Sequence, residues 1–227
     1  MASLQALFER YAMVSLEKQT RLASLLGNHF FQIDLEEGKA RFSDIWECNF
    51  QVLGTESDNT LNWIWGWADE QTEVPEHLLS AARELRNWGL RNNVTELATP
   101  SIDLNHADGT MFAMIASSVC RANAFYRDHF EGGSLFVLLF GDALDRQPGF
   151  DRAGFLHALE EHTAVYPGNH RALVVSYFRE LNLPYQENSG TFSGELANGE
   201  RIVAEFDPAG MISTINGEAF PADAGAV

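Results

Sequence analysis

Leu4, Leu7, Phe8, Tyr11, Val14, Leu22 and Leu25 recur at helical spacing between Ser3, a capping residue, and Gly27, which suits the position after a helix end. The spacing predicts a helix over 3–27 with one apolar stripe. The period then changes to two. Phe31, Ile33 and Leu35 alternate with Gln32, Asp34 and Glu36, Glu37-Gly38-Lys39 turns the chain, and Ala40 to Phe42 returns as the second half of a hairpin. Trp46 to Gly54 and Thr60 to Ala68 read as two further strands around the polar turn Glu56-Ser57-Asp58-Asn59, which completes a four-strand antiparallel meander.

Pro75 stands at a first helical position, and Leu78, Leu79, Ala82 and Leu85 mark one face of a helix ending near Gly89. Val94 to Leu104 contains Thr99-Pro100 and reads as an edge strand or loop. Asp108 can cap a long helix, with Met111, Phe112, Ile115, Val119, Ala122 and Tyr126 on its inward stripe, running through about Phe130 before Gly132-Gly133 breaks it. Leu135 to Phe140 is an uninterrupted apolar run, as expected of a central strand covered on both faces.

The segment from Gly141 to Gly149 is rich in turn formers and marks a boundary. Past it, helices are predicted from Asp151 to Val165 and from Asn169 to Leu181. Short strands follow over Tyr185–Asn188, Thr191–Leu196, Arg201–Phe206 and Met211–Ile215, with Asn198-Gly199 the strongest hairpin signal in the chain. The expected architecture is α+β. An antiparallel sheet flanked by helices fills residues 1–141; a helical hairpin and a C-terminal β-meander fill residues 150–227.

Charge narrows the partners. Among 227 residues, 32 Asp and Glu oppose 15 Lys and Arg, a formal charge of −17. With no cluster of Lys or Arg to release counterions, neither nucleic acid nor an anionic membrane is an expected partner; an acidic face instead steers basic proteins. No apolar run approaches the roughly 18 residues of a membrane span, and the first ten residues lack the pattern of a signal peptide, so a cytoplasmic location is expected. The two cysteines, Cys48 and Cys120, fit small buried hydrophobes of a reducing compartment.

Trp63, Trp65 and Trp67 occupy alternate positions, so an extended backbone projects all three indoles from one face. Such a wall serves either as a core face for a packing helix or as the lining of a cleft in which a planar or sugar-like ligand stacks. In the second case Trp63, Trp65, Trp67 and Asp69 are the ligand-binding candidates, and Glu47, Asp69 and Glu70 are the acids nearest the rings. Phe50-Gln51-Val52-Leu53-Gly54, the polar turn, Trp63-Ile64-Trp65-Gly66-Trp67-Ala68, Pro75, the helix ending near Gly89 and the helix leading into Phe125-Tyr126-Arg127 together resemble an uncharacterised bacterial family of unknown function. Its members carry Leu-Gly, a polar turn and Trp-x-Trp-x-Trp-Ala-Asn; here Asp69 replaces the final Asn. The resemblance spans residues 1–141 and implies a bacterial, cytoplasmic protein with no assigned activity.

Catalytic and cofactor motifs are absent from the sequence: there is no Gly-x-Gly-x-x-Gly, Walker-type loop or His-Glu-x-x-His. His157 and Glu161 share a helix face while His162 points about 140° away from His157, which gives too few convergent ligands for zinc. No metal or cofactor is expected. The leading expectation is a non-enzymatic binding or protein-interaction module that engages a basic partner through its acidic surface, in the manner of an immunity protein or antitoxin. The alternative is a small-molecule binder or enzyme built on the tryptophan cleft.

Overall fold

The computed structural model describes residues 3–68 and 74–220, and the chain divides into two compact units. One comprises Lys18–Gln147 with Ser3 and Leu4; the other comprises Gln5–Glu17 and the chain from Pro148 onward. The first helix, α1 (Leu4–Leu26), therefore contributes to both units. The sequence pattern alone puts it whole in the first. A single apolar stripe gives no sign that a helix changes allegiance after its fourth turn.

In the first unit the chain runs through β1 (Phe31–Asp34), β2 (Lys39–Phe42), β3 (Trp46–Ser57), β4 (Asn62–Trp65), α2 (Ser80–Asn92), β5 (Ser101–Asp103), α3 (Gly109–Val119), β6 (Ala124–Phe130) and β7 (Gly133–Phe140). The strands form one curled antiparallel sheet. β3 is its axis: β7 lies along one edge, while β2 covers the first part of the other edge and β4 the last. β5 extends the sheet beyond β4, and β6 extends it beyond β7.

A bulge between Val52 and Gly54 lets β3 serve both faces. Before it, Phe50 and Val52 join Phe42, Val137 and Leu139 in a core with Leu22, Leu26, Leu78 and Leu79. After it, Gly54 abuts Trp63 on the face covered by α3, where Phe112 meets both Trp63 and Trp65. The sequence pattern alone ends this strand at Gly54 and puts Glu56 in a turn. β3 instead continues to Ser57, with Glu56 pointing into the protein.

Two other expectations are corrected. The long helix through Phe130 stops at Val119, and Ala124–Phe130 forms a hairpin with β7. Arg121 takes a left-handed conformation (φ 54°) at the break. Of Gly132-Gly133, whose expected role is to break a helix, Gly132 (φ 93°) makes the hairpin turn with Glu131 and Gly133 begins β7. Ala122 and Tyr126 fit a period of 3.6 by coincidence, and cross-strand pairing decides between the alternatives. The strand predicted over Thr60–Ala68 is limited to Asn62–Trp65: Leu61 before it is left-handed (φ 53°), and after it Ala68 N–H donates to Trp65 O, turning the chain.

In the second unit, α4 (Arg152–Val165) and α5 (His170–Glu180) are followed by β8 (Tyr185–Asn188), β9 (Thr191–Glu195), β10 (Arg201–Phe206), β11 (Ile212–Ile215) and β12 (Glu218–Ala219), an antiparallel meander in chain order. Asp151 caps α4 through Gly154 N–H at 2.7 Å and Asn169 caps α5 through Ala172 N–H at 2.9 Å. Phe155 packs on Tyr177 and Phe178, and Phe178 packs on Phe192 of the sheet. Gly194 allows that approach: a Cβ there would lie 2.4 Å from the Phe178 ring. From α1 come Phe8, whose ring packs tilted against His162 and edge-on to Tyr166, and Glu17, which accepts from Phe150 N–H and the Tyr177 hydroxyl.

Candidate functional site

Trp63 and Trp65 project from one face of β4, as alternation requires, but both are 0% exposed. Their rings meet edge to face, 5.1 Å between centroids, and α3 closes over them through Phe112 while Phe136 supports Trp63 from β7. Gly54 and Gly109 make room, since a Cβ on either would come within 2.7 Å of the Trp63 ring. Trp65 Nε1 donates to Glu96 O at 3.1 Å; Trp63 Nε1 has no acceptor among the described residues. Of the two uses open to the wall, the structure realises the core face for these rings: with no solvent-exposed surface they offer a ligand nothing to stack on.

Trp67 lies apart, beyond the turn at Gly66. It is half-buried and carries the Arg86 guanidinium 4.3 Å from its ring centroid. Asp69 and Glu70 lie outside the described residues. Glu47 is bound to Arg41 at 2.7 Å, away from the tryptophans.

The polar centre of this unit is a group that the sequence reading did not assemble. Trp63, Glu56, Ser134 and His129 stand opposite one another across β4, β3, β7 and β6. Glu56 is 5% exposed; one carboxylate oxygen accepts from Gly109 N–H at the start of α3 and the other from Arg127, each at 2.7 Å. Arg127 Nε also donates to Ser134 Oγ at 3.1 Å, and that oxygen lies 3.0 Å from His129 Nδ1. A serine beside a histidine invites a nucleophilic reading, yet Ser134 is 1% exposed and its oxygen already accepts from Arg127. The group ties three strands to a helix terminus, where a carboxylate is favoured by the unpaired amides. Its sequence signal was the hairpin about Gly132-Gly133, which brings His129 opposite Ser134.

Burial disposes of the other candidate nucleophiles. It pushes the Cys48 and Cys120 thiols up to about 12, so both remain protonated near neutrality. His157 and Glu161 form an exposed pair at 3.3 Å, and His162 turns inward, as the helical angle required. There, burial first and His170 second push the imidazole of His162 down to about 4. Among the described residues no group of three or more His, Cys, Asp or Glu is placed to hold a metal ion, and no helix is long and apolar enough to cross a membrane.

One open cleft of about 760 Å³ runs along β1, lined by Phe31–Glu36, Arg41 and Asp128. It carries three carboxylates and one guanidinium. Arg41 is held by Glu37 and Glu47, and Asp34 accepts from the amides of Glu36 and Glu37. These amides and Arg41 hold the Asp34 carboxyl below the usual carboxylate range.

Compared with known proteins, residues 5–143 match the model of a family of unknown function (DUF6882), and the chain belongs to that family. No curated protein and no solved structure matches it.

Proposed function

For a member of a family without an assigned activity, we propose a non-enzymatic role: a cytoplasmic protein-interaction module that recognises a basic partner, as an immunity protein or antitoxin does. The observation that supports it is how the cations are used. Arg10, Arg41, Arg83, Arg127, Arg152 and Arg171 are each paired to a carboxylate of the same chain. With 32 acids to 15 bases, internal pairing leaves a large carboxylate excess. Such a surface raises the encounter rate with positive partners and repels nucleic acid.

The test compares labelled oligolysine and oligoglutamate of equal length by fluorescence anisotropy at about 20 mM and about 300 mM salt. Binding of oligolysine alone, weakened at the higher salt, is expected. Equal binding of the two peptides refutes the proposal.

A further inference from the structure

The curled sheet leaves two strand edges facing one another. Four antiparallel pairings lead from β1 through β2, β3 and β7 to β6, so β1 and β6 run in the same direction. At one end they touch: the Phe31 and Tyr126 rings are 4.3 Å apart, and His29 Nε2 lies 3.0 Å from the Tyr126 hydroxyl. Even so, among the described residues β1 pairs only with β2, and β6 only with β7. The cleft described above lies along the outer edge of β1, with Asp128 of β6 in its wall.

The outward backbone groups follow from the register. Ser43 N–H donates to Phe30 O directly across the β1–β2 ladder. Hydrogen-bonded and non-hydrogen-bonded pairs alternate, so Gln32 and Asp34 direct their amides and carbonyls to β2, while those of Phe31 and Ile33 point away from it. An open edge of this kind is a template for an added strand.

From this geometry we infer that the β1 edge is a strand-addition site for an extended segment of a protein partner in which basic and apolar residues alternate. The inference rests on the proposed recognition of a basic partner and gives it an address. Phe31 and Ile33 pack against the sheet's inner core, so the residues of an added strand on that side must be apolar. Gln32 and Asp34 stand on the other side. The cleft holds the carboxylates of Asp34, Glu36 and Asp128 against the one guanidinium of Arg41, which Glu37 and Glu47 already engage, so its surplus negative charge suits an incoming Lys or Arg. Phe30, 83% exposed, and Leu35, 37% exposed, flank β1 and extend the apolar contact.

The full chain is tested with a fluorescent peptide of alternating Lys and Val. Companion peptides carry N-methyl groups on every Lys, N-methyl groups on every Val, or Glu in place of Lys. An added strand uses the amides of only one alternate set, so one methylated peptide is expected to bind about tenfold more weakly or worse while the other stays within about twofold. The Glu peptide is expected to lose about tenfold as well. Ile33→Pro removes an outward amide that no ladder bond uses and is expected to weaken binding with the circular dichroism unchanged; if that variant fails to fold, the methylated peptides decide. Should both methylated peptides bind like the parent, strand addition is overturned, and a surviving preference for Lys over Glu keeps the broader reading. Absence of that preference overturns both.

Discussion

At the scale of single residues, two buried ionisable groups set measurable behaviour. Glu56 is the acceptor for both Gly109 N–H and Arg127. Removing the carboxylate orphans a buried amide and a guanidinium together, but Arg127 is 39% exposed at its side chain and recovers part of its hydration. We therefore expect Glu56→Ala to lower the unfolding free energy by about 2–3 kcal/mol, below the full value for a fully buried pair, in urea titrations. His162 gives a pH signature. In the unfolded chain its imidazole takes up a proton near pH 6.5, and in the folded chain only near pH 4. As pH falls through that window the unfolded state binds the proton first, so stability present above pH 6.5 is lost toward pH 4, by about 3 kcal/mol at most. His162→Phe should flatten this part of the stability–pH curve; an unchanged slope between pH 6.5 and pH 4 would contradict the assignment.

Among elements, α3 carries the most consequence for the tryptophans. Phe112 contacts both buried indoles, so Phe112→Ala leaves a cavity beneath them and should reduce stability by about 3–5 kcal/mol. The same variant should admit acrylamide to rings shielded in the parent, read as increased quenching of tryptophan emission. That cover also explains what could and could not be read from the letters. Alternation placed Trp63 and Trp65 on one face correctly, and the Asp151, Asn169 and Asn198-Gly199 signals located α4, α5 and β8 to β11 to within a residue or two, while the two-residue β12 carried no signal. Whether the indoles faced a helix or a void depended on Phe112, which lies 47 residues beyond Trp65, and no local pattern reports a partner at that separation. The Glu56 group was hidden for the same reason. Its members become neighbours only through the register of β3, β6 and β7, and β6 itself was concealed because Ala122 and Tyr126 also satisfy a helical period.

For the whole molecule, the division of α1 governs how the chain can be cut. Residues 148–227 lack the helix from which Phe8 reaches His162 and Tyr166 and Glu17 reaches Phe150 and Tyr177. Expressed alone, this fragment should show no cooperative thermal transition, and adding a peptide of residues 3–27 should restore one; a sharp transition without the peptide would show the helix to be dispensable. Length is constrained differently inside β3. Val52 and Gly54 stand opposite adjacent residues of β7, so Leu53 is one residue more than the pairing needs. It acts as slack. Losing one residue there would iron the strand straight and keep Phe50 and Glu56 on their present sides, whereas gaining one would leave two residues to accommodate and threaten to slide the carboxylate out from under Gly109. Over evolutionary drift, this strand can shorten by a single step more safely than it can grow.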